Sequence, residues 1–575
     1  MTVVDTWLQG GEILAHLHAP DAARSAAGVV ICPPIGQENI VAYRTLRLLA
    51  ERASANGIAA IRFDYPGFGD STAAPTPGSL VAGSIAAANA LRSTGVTRIV
   101  YLGLASGALV AAAAAGADPD ASGLVLWDPP QSGRRWLRRQ RSLYSLAVHS
   151  PSPVPDGSER ADAVAIAGAD LTPAVAEAIS RFGYDGSLAN RMPVLVARRR
   201  GESPTDSFDG RPTFTDLEFD GHESLLDVSS ISARIPGSSV EAVVAWLTAT
   251  FGAVSPVRSQ PIGASSLAIF PHTPRHGGAA VALAETLVRV GPDRLFAIET
   301  APLAADGSAP DDSLPAMVLH NGSSEHRIGA NRYQVELARE LAARGIRTLR
   351  VDRRGTGESG PVSAGEQNLL FTKAWVADGE NAARHLGLPA DRVGVVGMCV
   401  GAWLGLVTDP GLAALAIAIS PNDYRGRPAE PEEIADLERA AHTGAPDADA
   451  SPSLKRRATS ALKNLLGYRA LLLIARAGKL QLVEPLLRAP LDRGSRVVLF
   501  LGPQDGAIFD DRHGERALAR LRNSSGSVQV IRHPTGDHSL FDQGIRNRAI
   551  DVVVAEAAAH FRPLPAGVSV AEPSR

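Results

Sequence analysis

The segment 392–407, RVGVVGMCVGAWLGLV, predicts a β-strand, a sharp turn and a helix in direct succession. The run RVGVV is typical of a buried strand, and AWLGLV continues as an apolar helix. Gly397 and Gly401 allow a turn tight enough to hold the side chain between them, Cys399, in an exposed pose. The helix N-terminus below the turn favours negative charge, and therefore the thiolate form of a thiol. The segment thus predicts an α/β fold with a nucleophile at residue 399.

The chain also resembles itself, because four segments recur in the same order. The pair 61–71 and 349–359, for example, shares Arg-x-Asp-x-x-Gly-x-Gly-x-Ser. The distance between equivalent positions grows along the chain, from 288 to 294 and finally to 316 residues. The four pairs are 28–38 with 316–326, 61–71 with 349–359, 99–108 with 393–402, and 219–227 with 535–542. So long a period indicates a duplicated domain rather than a solenoid. The growing offset indicates insertions in the second copy.

Each copy alternates apolar strands with helices of 14 to 15 residues, such as 43–57 and 332–345. This alternation predicts parallel sheets covered by helices, with β-like segments at the start of each copy as antiparallel edge strands. A chain of 575 residues exceeds a single core. We therefore predict two α/β domains, 1–252 and 265–565, which are separated by the Pro-, Gly- and Ser-rich stretch at 252–264.

Partners for Cys399 follow it along the chain. Asp505 comes after the apolar strand VVLFL, on what we predict to be a loop, and His538 lies in GDHSLF after the strand-like SVQVIRH. In the order nucleophile, acid, histidine, Asp505 would orient His538, and His538 would deprotonate Cys399. Asp510, Asp511 and Asp537 are alternative acids. A buried structural cysteine and a surface histidine are the alternative interpretations.

An oxyanion formed during attack needs two N–H donors. The amide of Val400 is the expected first donor, and Gly322 or Ser323 is the expected second. An ordinary Gly-Ser loop is the alternative interpretation of these two residues.

The first copy is predicted to be catalytically silent. Ala105 aligns with Cys399, and Gly201 aligns with Asp505, whereas His222 is retained. Ser106 follows Ala105, the residue that aligns with Cys399. As a nucleophile with Glu202 as its acid, Ser106 forms the alternative site. Cys32, the other cysteine, is interpreted as structural.

Composition sets limits on function. The formal net charge of −3 gives no indication of nucleic acid binding, and two cysteines do not make a disulfide framework. We find no signal peptide and no apolar run of about 18 residues that could span a bilayer. We see no metal-ligand spacing, phosphate loop or dinucleotide fingerprint. These observations predict a cytoplasmic protein without a cofactor or metal.

The stretches NGSSEHRIGANR, LRVDRRGTGES, GMCVGAW, GPQD and GDHSLF resemble the α/β-hydrolase superfamily, in its serine-aminopeptidase-like and exosortase-associated branches. The resemblance implies an eight-stranded, mostly parallel sheet with an inserted cap. It also assigns the catalytic roles to Cys399, Asp505 and His538, and the oxyanion role to Val400. These branches usually carry serine at the elbow, and the cysteine here is similar to dienelactone hydrolase and to some thioesterase-like enzymes.

The expected cap, near 420–490, combines a polar stretch with apolar, basic helices. It is interpreted either as a lid over an acyl substrate, free or carrier-bound, or as an amphipathic helix that packs on the domain or on a second chain. We expect acyl transfer through a Cys399 thioester, with hydrolysis of an ester, thioester or lactone. An acyltransferase with an amine or alcohol acceptor and a non-enzymatic tandem scaffold are the alternatives, and a homo-oligomer is possible.

Overall fold

The computed structural model describes residues 2–21, 25–148, 163–200, 206–219, 234–252, 263–304, 310–323, 325–366, 370–430, 432–433 and 467–561. Within these ranges the chain forms two large mixed sheets flanked by helices, so the predicted α/β class is confirmed. No helix within these ranges is both long and apolar enough to cross a membrane.

The first sheet has eight strands in the order β1-β2-β4-β3-β5-β6-β9-β10, and a short hairpin, β7-β8, stands apart from it. Only the pairs β1-β2 and β2-β4 of this sheet are antiparallel. The strands are β1 Thr2–Leu8, β2 Ile13–Ala19, β3 Ala27–Cys32, β4 Ala59–Phe63, β5 Arg98–Leu104, β6 Ala121–Trp127, β7 Val164–Ile166, β8 Ala169–Leu171, β9 Val194–Arg199 and β10 Phe214–Phe219. The helices are α1 Gln37–Ala55, α2 Ser79–Ser93, α3 Ser106–Ala117, α4 Gly133–Ala147, α5 Pro173–Ser180, α6 Leu188–Arg191 and α7 Gly237–Phe251.

The second sheet has nine strands in the order β11-β12-β13-β15-β14-β16-β17-β18-β19. The strands are β11 Leu267–His272, β12 Val281–Val290, β13 Leu295–Pro302, β14 Ala316–His320, β15 Arg347–Val351, β16 Val393–Met398, β17 Leu415–Ile419, β18 Arg496–Leu501 and β19 Ser527–Arg532. The helices are α8 Tyr333–Ala342, α9 Lys373–His385, α10 Val400–Val407, α11 Tyr468–Arg476, α12 Val483–Asp492, α13 Pro503–Asp511, α14 Gly514–Leu521 and α15 Gln543–His560.

The second sheet therefore exceeds the expected eight strands by one. The additional strand, β11, pairs antiparallel with β12 at the sheet edge. Its segment, LAIFPH, alternates exposed with buried or half-buried residues, which is typical of an edge strand with one face in solvent. Without β11, the two sheets share one strand order.

Central strands in both sheets are almost wholly buried, which explains their continuous apolar sequences. In β14 and β16 every residue is buried, because helices cover both faces of the parallel sheet. β14 lies between β15 and β16, and its residue Ala316 is in register with Val393. This register brings the loop after β14 next to the turn after β16, where the elbow was predicted.

The two halves of the chain contact each other through ion pairs that are repeated in the reverse direction. Arg62 donates to Glu358 at 2.7 Å, and Arg350 forms a hydrogen-bonded ion pair with Asp70. Arg62 and Arg350 are 288 positions apart, as are Asp70 and Glu358. The same contact is therefore made twice in opposite directions, as in the two-fold interface of a symmetric dimer.

The expected division at 252–264 coincides with the end of α7 at Phe251 and the start of β11 at Leu267. Residues 253–262 lie outside the described ranges, so the boundary stays a prediction. The predicted cap lies partly outside as well, at 434–466. Its described flanks are the segment 420–430 and the helices α11 and α12.

Candidate active site

Cys399 lies between β16 and α10 with φ 54° and ψ −117°, a backbone conformation that non-glycine residues rarely adopt. Its amide donates to Ile419 O at 3.0 Å, which ties the turn to β17. A Cβ atom at Gly397 would lie 2.1 Å from Gly401 O, and one at Gly401 would lie 2.5 Å from His320 O. Only glycine fits at both positions, so the predicted strand, turn and helix are all present and the turn is as tight as a nucleophile elbow requires.

The two predicted partners of Cys399 lie together beside it. His538 Nδ1 is 2.7 Å from Asp505 Oδ1. Burial opposes a charge on His538, but hydrogen bonds to Asp505 and Cys399 together raise its pKa well above the ordinary histidine value. Asp505 is in the first turn of α13 rather than on the predicted loop, because Pro503 is well suited to the first turn of a helix.

Asn422, which the sequence analysis missed, bridges the nucleophile and the histidine. The Cys399 thiol donates to Asn422 Oδ1 at 3.7 Å, and Asn422 Nδ2 donates to His538 Nε2 at 3.3 Å. When the imidazole is neutral, an amide that donates to Nε2 leaves the ring proton on Nδ1, facing Asp505. Asn422 follows the end of β17, beside β16, and this strand-end position was the one signal that could have identified it.

The predicted oxyanion loop lies against the elbow. A Cβ atom at Gly322 would be 3.5 Å from Met398 Cε and 3.7 Å from Met398 O. Arg353 fixes this loop, because its guanidinium donates to the carbonyls of Asn321, Gly322 and Ser323 at 2.5 to 3.1 Å. Arg353 also lies 4.0 Å from the ring centre of Trp375.

The Val400 amide is the first amide of α10 and has no acceptor among the described residues. It is therefore free to bind an oxyanion.

Glu325 is a second residue that the sequence analysis missed. It is only 6% exposed and its Oε2 has no partner among the described residues. Burial raises its pKa to about 7, although a backbone hydrogen bond from Ala330 and the charges of Arg353 and His538 oppose the rise. A carboxyl group that changes charge near neutral pH therefore lies two residues beyond the oxyanion loop.

Replacing Glu325 with glutamine is expected to change how stability depends on pH. The pKa of Glu325 in the folded protein exceeds that of an unfolded glutamate, so protonated Glu325 favours the folded state. This contribution to the free energy of unfolding is complete at low pH and is lost as the pH rises from about 4.5 through 7. Because glutamine cannot ionise, the free energy of unfolding of Glu325→Gln should rise by about 3 kcal/mol relative to that of the parent protein between pH 4.5 and pH 8. Urea unfolding at both pH values measures this difference. Parallel pH dependence of the two proteins would contradict the expectation, and the exposed Glu177→Gln is the control.

In the first half, Ala105 adopts the backbone geometry of Cys399, with φ 50° and ψ −125°. The position equivalent to the Val400 amide is already occupied, because the Ser106 amide donates to Glu38 Oε2 at 3.2 Å. The Ser106 hydroxyl donates to the same oxygen at 2.6 Å and accepts from the Ile35 amide at 2.9 Å. Both the hydroxyl and the amide of Ser106 are therefore engaged within the chain.

Other predicted residues of the first half give less information. His222, Gly201 and Glu202 lie outside the described residues. Cys32 is fully buried in β3, and burial raises the pKa of its thiol to about 12. This environment fits the structural role predicted for Cys32.

Near the predicted cap, the structure has a cavity of about 300 Å³ between α11 and the segment that precedes the undescribed residues. It is lined by Arg425, Gly426, Arg427, Glu433, Ala475, Gly478, Leu480 and Gln481. Leu473 on α11 is 66% exposed. The described flanks of the cap are thus both basic and apolar, as the sequence pattern indicated.

Comparisons with known proteins concern the second half most directly. Residues 317–556 match the model of the alpha/beta hydrolase family. No curated protein matches the chain.

Among solved structures, the chain is similar to a thermostable carboxylesterase, EstE1, cloned from a metagenomic library, at 18% identity over 49% of this chain and 90% of that one, with a TM-score of 0.29. A hyperthermophilic esterase from Pyrobaculum calidifontis matches at 15% identity over 48% and 85%, also with a TM-score of 0.29. A proline iminopeptidase-related protein from Thermus thermophilus matches at 22% identity over 48% and 99%, again with a TM-score of 0.29.

Proposed function

We propose that the chain is a hydrolase-type enzyme that acts through a covalent thioester on Cys399, and the match of residues 317–556 to the alpha/beta hydrolase family supports this proposal. The substrate class is an acyl ester, thioester or lactone, and water is the principal acceptor. The observation that carries this proposal is the chain of contacts from Cys399 through Asn422 to His538 and Asp505.

In the first step, Cys399 Sγ attacks the acyl carbon and His538 Nε2 takes the thiol proton. Asp505 holds the imidazole by its Nδ1 and stabilises the imidazolium that forms. The carbonyl oxygen becomes an oxyanion, which the Val400 amide and an amide of the loop at 322–323 would bind. The bond to the leaving group then breaks, and the departing alcohol or thiol takes the proton from His538.

In the second step, His538 removes a proton from water, and the hydroxide attacks the thioester carbon. The carbon–sulfur bond breaks, and Cys399 recovers its proton from the imidazolium as the carboxylic acid leaves. An amine or alcohol in place of water would give an amide or a new ester, so acyl transfer is the same chemistry with a different acceptor.

The first half has a structural role in this proposal. Ala105 offers no nucleophile, and Glu38 occupies the position of the oxyanion. Its reciprocal contacts with the second half support a duplicated origin. The pair formed by Asp70 and Arg327, at 2.8 Å, holds the segment that leads from the oxyanion loop to α8.

The test is the mass of the intact protein after brief incubation with a panel of p-nitrophenyl esters and acyl thioesters. We expect one acyl adduct in the parent protein, none in Cys399→Ala, and much slower formation in His538→Ala. A panel that yields neither adduct nor turnover would contradict the proposal and favour the alternative of a non-enzymatic tandem scaffold.

Asn422 should matter for the rate of acylation. When His538 is neutral, the NH₂ group of Asn422 donates to Nε2. When His538 is charged, a flip of the Asn422 amide lets its oxygen accept from the imidazolium and its NH₂ group donate to the thiolate. Removing one such hydrogen bond costs about 1 kcal/mol. Asn422→Ala is therefore expected to slow the pre-steady-state burst of p-nitrophenol about five- to ten-fold. Asn56→Ala, a change at an exposed amide, is the control, and an unchanged burst rate in Asn422→Ala would refute the role.

A further inference from the structure

Arg44 of the first half and Arg332 of the second are 288 positions apart and make reciprocal contacts across the interface. Arg44 donates to the carbonyls of Gly357 and Ser359 at 3.3 and 3.1 Å. Arg332 donates to the equivalent carbonyls, those of Gly69 and Ser71, at 2.6 and 2.8 Å. The two arginines thus bind equivalent backbone carbonyls.

The two environments differ in their charged groups, because Arg339 and Glu336 act on Arg332, whereas the equivalent positions beside Arg44 are Glu51 and Leu48. Arg44 also forms a two-pronged ion pair with Glu366, which it reaches through Nε and, at 2.7 Å, through Nη2. In the first half, the connection from Ser71 to α2 is six residues shorter than its counterpart from Ser359 to α9, and its residues, 72–78, TAAPTPG, include no acid.

Among the residues that the structure describes, no carboxylate oxygen lies within 4.0 Å of the Arg332 guanidinium. Arg332 is half-buried, and a partly desolvated guanidinium without a carboxylate partner is less favourable than a paired one. Burial and the neighbouring Arg339 accordingly lower the pKa of Arg332 to about 10.

Arg332 faces a cavity of about 640 Å³ between the two halves. One wall comes from the first half, at 64–75 and at the hairpin turn near Gly168, and the opposite wall comes from the start of α8 and from α15. Two polar atoms on the second-half side have no partner among the described residues. They are Oδ1 of Asn331, whose side chain is buried at 6% exposure, and Nη1 of Arg275.

Charges on the walls indicate where an anion would bind. Arg546 is paired with Asp170, and Arg339 with Glu285, so these arginines are already neutralised. Arg332 and Arg275 remain as donors. Asp64 and Glu336 also line the cavity, and Glu336, one helical turn beyond Arg332, would repel an anion there.

We propose that this cavity binds a small organic carboxylate, whose carboxylate group takes the place over Arg332 that Glu366 takes over Arg44. Arg332 and Arg275 donate to the carboxylate. None of the lining residues belongs to the site around Cys399, so the proposal is independent of the proposed reaction.

The experiment is calorimetric titration of the full-length protein with malate and with glutamate, and with inorganic phosphate as the competing chemistry. We expect saturable binding of at least one carboxylate. Arg332→Gln should weaken that binding at least ten-fold, because it removes charge-assisted hydrogen bonds. Glu336→Gln should strengthen it several-fold, because it removes a repelling charge.

A further variant uses the reciprocity of the interface. Arg44→Gln, the matched control, leaves the cavity walls intact and should leave the affinity unchanged.

The proposal is overturned if neither carboxylate gives saturable heat, if phosphate binds more tightly than both, or if folded Arg332→Gln binds as tightly as the parent protein. Circular dichroism establishes that each variant is folded. If Arg332→Gln does not fold, Glu336→Gln decides, and an unchanged or weaker affinity in that variant overturns the proposal.

Discussion

Cys399→Ala is expected to lower kcat/KM for ester and thioester substrates by at least about 10⁴-fold, because the variant has no atom that can form the acyl intermediate. Residual activity should come only from binding and from the oxyanion amides. His538→Ala should lose about 10³-fold or more, since the thiol then lacks a proton acceptor. Steady-state assays with the substrates that acylate the parent protein measure these losses.

The matched control is Ser106→Ala, which alters the equivalent turn of the first half. Its hydroxyl is engaged by Glu38 and Ile35, so kcat/KM should change little. If Ser106→Ala abolished activity and Cys399→Ala did not, the two halves would have the opposite roles.

Asp70→Asn is expected to destabilise the fold by about 3 to 5 kcal/mol, because it leaves buried guanidinium groups without their counter-ion. Asp70 is fully buried and paired with Arg327 and Arg350, both of which are also fully buried. Burial alone would raise the pKa of Asp70, but the two arginines hold it well below the ordinary value. The stabilisation is therefore present at neutral pH and is lost as the pH falls below about 4.

Urea unfolding measures the effect of Asp70→Asn. Because the pairs join the two halves, the variant should also lose cooperativity and unfold in two transitions. Glu358→Gln breaks the reciprocal contact with Arg62 and should cost a similar amount. Glu177→Gln, in an exposed pair with Arg181, should have no measurable effect. A loss of less than about 1 kcal/mol in Asp70→Asn would contradict the account.

Local sequence patterns were sufficient to predict the elbow. The strand, the two glycines and the following helix are contiguous in the chain, and backbone sterics dictate their geometry. Cys399, His538 and Asp505 could be selected because strand ends of a parallel sheet lie at one edge. Asp505 was placed on a loop because the helix Pro503–Asp511 contains a glycine and little apolar periodicity.

Residues that depend on tertiary neighbours could not be predicted in this way. Asn422, Glu325 and Arg353 contact the site only because β17, the oxyanion loop and the segment after β15 converge on it. Glu38 could not be identified as the group that occupies the equivalent turn of the first half, because its carboxylate reaches Ser106 across 68 positions of sequence. The reciprocal interface could not be predicted either, since the repeat identifies equivalent residues but not which of them are in contact.

The identity of the acylated residue tests the central claim most directly. The parent protein would be quenched in acid during the burst with an activated ester, digested, and analysed by tandem mass spectrometry. We predict a single acyl group, as a thioester on the sulfur of Cys399. An acyl group on Ser106 or on Cys32, or a protein that turns over substrate with no acyl group on Cys399, would contradict the account.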